Sequence, residues 1–203
     1  MLELQDNINK IVADQWRDKR YPWYRAAWIE CGELVEHYGF KWWKKQTPDM
    51  PQVVLEVVDI WHFVLSMYLA DNKLSSYEEI ADAMLEEMDD IYSPHGFGVI
   101  EAAEFLAEEL LRDNRCSIAT FWHLLSAAEM TPEGLYTKYI CKNVLNKFRQ
   151  ANGYKEGTYI KNWNGREDNE VLFDIMRESI NQDDISNFLY KKLELEYSRV
   201  CVQ

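Results

Sequence analysis

Apolar residues recur every three to four positions along nearly the whole chain, the period of a helix with one buried face. The pattern predicts helices over 2–16, 22–45, 50–71, 76–91, 98–112, 115–128, 131–150, 168–181 and 183–200. The alternation a half-buried strand needs never holds for long. Pro22, Pro48, Pro51, Pro94 and Pro132 fall at or near the breaks, where proline is tolerated. Thr131-Pro132-Glu133 is a helix start: a capping hydroxyl, proline in the first turn, then an acid at the positive end of the dipole. No repeat or linker divides the chain, so the expectation is an all-α multi-helix bundle forming a single domain over 1–203.

One stretch departs from the helical pattern. Residues 151–167, ANGYKEGTYIKNWNGRE, hold three glycines, no apolar stripe, and several Asn and Lys. A loop of that length inside a compact domain is usually functional or disordered, and Tyr154, Tyr159 and Trp163 favour function. Its few apolar residues predict a lid that is mobile without ligand and orders over one.

Composition narrows the class. The 203 residues are 47% hydrophobic, which suits a globular protein with a sizeable core. Charged residues interrupt every apolar run, so no membrane span is expected, and the polar MLELQDNINK start has no signal-peptide character. Cys31, Cys116, Cys141 and Cys201 are scattered without metal-ligand or disulfide spacing, which suits a reducing cytoplasm. The net charge of −13 argues against non-specific binding to nucleic acid or anionic membranes. It is unevenly placed: residues 137–166 carry seven basic residues against one acid, Glu156.

Two apolar segments then raise a question of chemistry. WIECGELVEH at 28–37 holds Glu30 and Glu33, and VLEVVDIWHF at 54–63 holds Glu56 and Asp59. Residues three apart share a helical face, so each pair projects together, and two packed helices would bring four carboxylates to one spot. Burying four unpaired negative charges is very costly, so a cation is expected between them. Oxygen ligands without Cys suit Mg²⁺, with Mn²⁺ as a substitute. Acids at the solvated edge of two amphipathic helices are the simpler explanation for one pair. They account poorly for Glu56 and Asp59, whose neighbours are nearly all apolar. A di-iron bundle needs two Glu-x-x-His motifs. Asp59-x-x-His62 is the nearest approach, in a chain with four His.

Glu-x-x-Glu on one helix followed by Glu-x-x-Asp on the next resembles the all-α NTP pyrophosphatase superfamily, the MazG-like group. YGFKWWKK at 38–45, EVVDIWHF at 56–63 and KNVLNKFRQANGYKEGTYIKNWNGREDNEVL at 142–172 look like the dimeric, Mg²⁺-dependent dUTPases within it. The resemblance covers most of 1–172 and is weaker over the acidic helical segment at about 74–130. It implies that Glu30, Glu33, Glu56 and Asp59 are metal ligands and catalytic, with several Mg²⁺ ions and Glu30 favoured as the base. Lys142, Asn146 and Arg149, on one helical stripe, would meet sugar and phosphates, with Tyr154, Lys155, Lys161 and Asn169 closing over them. Gln5 and Asn9 would read the uracil edge, Trp43 would wall the base, and His62 would reach the sugar or orient a ligand.

The resemblance thus implies a cytoplasmic homodimer that hydrolyses dUTP, and plausibly dUDP, to dUMP, limiting uracil in DNA. Two other readings remain open at this level. One is a related pyrophosphatase acting on dCTP or another noncanonical nucleotide. The other is a non-catalytic helical protein that binds nucleotides or a partner.

Overall fold

A computed structural model describes residues 1–71, 76–89, 97–179 and 184–201. The helical pattern is realised as α1 (Leu2–Val12), α2 (Trp23–Tyr38), α3 (Met50–Ala70), α4 (Tyr77–Asp89), α5 (Val99–Asp113), α6 (Ile118–Ala127), α7 (Pro132–Ala151), α8 (Asp168–Ser179) and α9 (Ile185–Cys201). The chain is all-α apart from one small hairpin among the described residues. Pro94, the expected helix ends at 91 and 181, the expected start at 183 and parts of the 74–130 segment lie outside the described residues.

Local chemistry fixes several ends. The Asp49 carboxylate accepts from the Gln52 amide at the start of α3, with Pro51 in the first turn. Ser117 caps α6 through the Thr120 amide, and Thr131 caps α7 through the Gly134 amide. Two helices stop earlier than their apolar pattern suggests. The first does not reach residue 16: Ala13 is extended, and a 3₁₀ turn over Trp16–Lys19 replaces the expected final turn. The second does not run to 45: Gly39, at φ 92°, takes the left-handed conformation that ends α2 at Tyr38. The aromatic segment after it is a loop, which leaves Trp42 90% and Trp43 59% exposed.

The 151–167 segment also differs from a plain loop. Asn162–Trp163 (β1) pairs antiparallel with Arg166–Glu167 (β2). Asn164 and Gly165 connect them, both at positive φ (54° and 87°), as a two-residue hairpin turn requires.

The core has two parts. α2 and α3 pack side by side, antiparallel, with α5 and α6 completing the larger cluster and α1 and α7 flanking α3. α7, α8, α9 and the hairpin enclose the smaller cluster around Phe148 and Trp163. α7 belongs to both: Leu135 and Tyr139 face the first, Leu145 and Phe148 the second. α3 is, against the sequence expectation, long and apolar enough to cross a membrane by length and composition. Here most of it is buried inside the fold, and its polar residues Glu56, Asp59, His62 and Ser66 form one stripe.

Candidate active site

The stripe on α3 meets two other helices. Antiparallel packing sets Glu30 and Glu33 of α2 against Glu56, and one carboxylate oxygen from each of the three lies within 4.8 Å of the others. Burial, together with the neighbouring Asp59 charge, pushes the Glu30 and Glu56 carboxyls well above the ordinary carboxylate range, and the two share a hydrogen bond. These residues cannot all be charged without a cation among them. Three converging hard oxygen donors fit a divalent ion such as Mg²⁺ or Mn²⁺.

Asp59 is held differently. Its carboxylate lies 2.6 Å from the Lys142 ammonium of α7, and Lys142 is 1% exposed. One turn along, the His62 ring packs on Tyr139 with centroids 4.4 Å apart. Since 59 faces 142 and 62 faces 139, α3 and α7 run antiparallel, and the seam between them carries polar groups along its length.

At the far end of that seam lie Gln5 and Asn9 of α1. The Gln5 amide donates to Asn9 Oδ1 and to Ser66 Oγ, each at 3.0 Å. Its oxygen accepts from the Tyr139 hydroxyl at 3.2 Å and from His62 Nδ1 at 2.6 Å. Asn9 Nδ2 donates to Ser66 Oγ at 3.0 Å, and Ser66 itself donates to the His62 carbonyl. Both donors of Gln5 are therefore used, and its oxygen faces His62 and a Tyr139 hydroxyl whose single proton it shares with the Met1 carbonyl at 3.1 Å, whereas Asn9 keeps one donor and one acceptor. The Gln5 acceptor requires the proton of His62 on Nδ1, which leaves Nε2 as a bare acceptor. Nε2 is buried and has no partner among the described residues. Burial depresses the His62 pKa to about 4.

Opposite the carboxylates stand the cations. A cleft of about 770 Å³ is lined by Glu30, Glu33, Glu56 and Asp59 on one side, and by Lys142, Arg149, Tyr154, Lys161 and Asn169 on the other. Asn169 Oδ1 accepts from Lys142 at 2.8 Å and from Arg149 at 3.1 Å. Arg149 also donates to Asn146 at 3.3 Å and lies over the Tyr154 ring. Lys161 pairs with Glu167 at 3.2 Å.

The structure thus brings together Glu30, Glu33, Glu56, Asp59, Lys142, Arg149, Tyr154, Lys161 and Asn169 in one cleft. Gln5, Asn9 and His62 form a separate buried cluster further along the α3–α7 seam. Lys155 and Trp43 stand apart from both. The Lys155 ammonium donates to the Val12 carbonyl, capping the end of α1, and Trp43 packs edge-on against the Phe40 and Trp42 rings in its exposed loop. The 151–167 segment has more anchorage than its composition suggests. Trp163 is buried and donates to the Ile160 carbonyl, and Tyr159 stacks on Tyr197 of α9.

Sequence reading missed several residues here. His37 lines the cleft with Nε2 3.6 Å from the Glu56 carboxylate. Its spacing of four from Glu33 and seven from Glu30, one helical face, could have revealed it. Ser66 and Tyr139 likewise sit one turn from His62 and Lys142. Asp168, fully buried beneath Arg149, carried no such signal.

A family model described as dUTPase matches residues 1–154, which takes in α1 to α7 and the whole carboxylate cluster. No curated protein matches the chain.

Proposed function

As a member of the dUTPase family, to which this chain belongs, the protein is a hydrolase of nucleoside triphosphates, and we propose that it cleaves dUTP to dUMP and pyrophosphate with Mg²⁺, and accepts dUDP. The observation that carries this reading is the facing of three convergent carboxylates and a row of cations across one cleft. A nucleotide with divalent metal needs both.

Each group has a role in this reading. Glu30, Glu33, Glu56 and Asp59 would hold Mg²⁺, which supplies positive charge against the phosphate chain and lowers the pKa of water. Glu30, which lines the cleft, takes the proton of the attacking water. Lys142, Arg149 and Lys161 stabilise charge on the departing pyrophosphate. His62 Nε2, a buried acceptor, suits a sugar hydroxyl.

Base selection falls to Asn9. Its one remaining donor and one remaining acceptor match the O4 and N3–H of uracil. Cytosine presents the reverse order, so a freely turning amide would take either. Gln5 and Ser66 hold Asn9 in one orientation, and Tyr139 and His62 hold Gln5 in turn. Gln5 therefore orients Asn9 instead of meeting the base itself.

That α7 is common to both core clusters supports the reading of the chain as a single domain. Membership of this family supports a homodimer in the cytoplasm whose role is to limit uracil in DNA and supply dUMP. A panel of dUTP, dUDP, dCTP, dTTP and dATP, assayed for phosphate products with Mg²⁺ and with chelator, tests the reading. Mg²⁺-dependent release of dUMP from dUTP in clear preference to the others is expected. Equal turnover of dCTP would widen the substrate to both pyrimidines, and no turnover of any would leave a binding protein.

A further inference from the structure

Arg149 does not reach the cleft unsupported. Its Nε and Nη2 grip the two oxygens of Asp168 at 2.8 and 2.7 Å, a bidentate pair in which the carboxylate is fully buried. The Tyr159 hydroxyl donates to Asp168 Oδ2 at 2.7 Å, and the Asp168 amide donates to the Lys161 carbonyl at 3.0 Å. Asp168 therefore binds four pieces of the chain at one point: α7 through Arg149, the loop through Tyr159, the strand side of the hairpin through Lys161, and α8, which it begins. Burial opposes its ionisation, but the hydrogen bonds and charge of Arg149 hold its pKa below the ordinary range.

The geometry leaves Arg149 little freedom. Of its five N–H groups, Nε and both on Nη2 are committed to Asp168 and Asn169, and one on Nη1 to Asn146. A single Nη1 donor remains. A planar guanidinium locked along one edge presents that donor in a fixed direction. Asn169, next in sequence to Asp168, is fixed by the same anchor and orients Lys142.

We infer that Asp168, with Tyr159 behind it, is a positioning residue for the phosphate side of the cleft: it aims Arg149 at the leaving pyrophosphate and docks the hairpin in the same act. This rests on the reading of Arg149 as a phosphate contact. Asp168 itself touches no substrate; it acts through Arg149. A carboxylate placed only for stability would contribute equally to every ligand the fold binds. One placed to aim a cation contributes to anion binding alone.

The test uses the full chain and two probes, inorganic pyrophosphate with Mg²⁺ and deoxyuridine, titrated calorimetrically into wild type, Asp168→Asn, Arg149→Met, the double variant and Tyr159→Phe. Asp168→Asn and Arg149→Met should each weaken pyrophosphate binding by about tenfold or more, the scale of a lost charge-assisted hydrogen bond, and leave deoxyuridine binding unchanged. The double variant should bind pyrophosphate no more weakly than Arg149→Met alone, because Asp168 has nothing left to aim. Additive losses, equal losses for both probes, or wild-type pyrophosphate affinity in Asp168→Asn would each overturn the inference. Wild type that fails to bind pyrophosphate would do so too. Should Asp168→Asn not fold, Tyr159→Phe decides: a smaller loss confined to pyrophosphate supports the inference, and no loss or a shared loss overturns it. A wild type that binds pyrophosphate but does not hydrolyse dUTP would defeat the functional reading and leave the Asp168–Arg149 coupling standing.

Discussion

The Lys142 ammonium sits 2.6 Å from the Asp59 carboxylate, so one of the four acids is paired with a lysine, whereas among the described residues no lysine or arginine forms an ion pair with Glu30, Glu33 or Glu56, and Glu56 has the His37 ring at 3.6 Å. The acidic site is thus divided before any metal arrives. Asp59 is neutralised within the chain, and Glu30, Glu33 and Glu56 form the part that needs a counter-ion.

Lys142→Met should expose that division. Removing one member of a buried pair strands the other charge, at a cost of about 3–5 kcal/mol. The metal-free variant should melt well below wild type, and Mg²⁺ should restore much of the difference by supplying the missing charge. Thermal melts with and without Mg²⁺ measure this; a deficit that Mg²⁺ leaves untouched would show that Lys142 is only a packing residue.

Glu30→Gln and Glu56→Gln remove charge and keep shape. Each should abolish dUTP turnover and the rise in melting temperature that Mg²⁺ gives wild type by binding the folded state. Without metal each variant should be at least as stable as wild type, because a neutral amide escapes the burial penalty and the Asp59 repulsion that raise these pKa values. Near-normal turnover at saturating Mg²⁺ in either variant is the result that contradicts the carboxylate site.

His62 sets a pH signature. Its folded pKa, about 4, lies below the unfolded 6.5, so on acidification the unfolded chain gains a proton that the native state refuses. The stability it contributes is complete above pH 6.5 and is lost as pH falls through that window. At about 1.4 kcal/mol per pKa unit the loss is on the order of 3 kcal/mol. Denaturant unfolding from pH 7 to 4 should show a steeper decline in wild type than in His62→Gln. Parallel curves would mean that His62 takes a proton in the native state.

Asn9 and Ser66 should separate binding from discrimination. Asn9→Ala should lower kcat/KM for dUTP by the equivalent of about 1–3 kcal/mol, the cost of a lost buried hydrogen bond, with little change in Mg²⁺ affinity. Ser66→Ala frees one side of the Asn9 amide and should raise dCTP turnover relative to dUTP. If Asn9→Ala keeps wild-type efficiency, the base is read elsewhere.

The sequence by itself determined whatever depends on neighbours within a few turns. The helical period marked most elements, and the three-residue spacing in Glu30-x-x-Glu33 and Glu56-x-x-Asp59 put each pair on one face. Thr131-Pro132 marked the start of α7. Its misses among local features were the break at Ala13 that ends the first helix early, Gly39, whose left-handed backbone overrode the apolar pattern continuing to Trp43, and Asn164-Gly165, a hairpin signal within an otherwise polar stretch. Tertiary structure decided which charges meet. Nothing near Asp59 in sequence announces Lys142, nothing near Arg149 announces Asp168, and Gln5 looks as free as Asn9 until Tyr139 and His62 fill its valences. These pairings join residues far apart along the chain, and they exist only because burial removes water and leaves each polar group to find its partner on another helix.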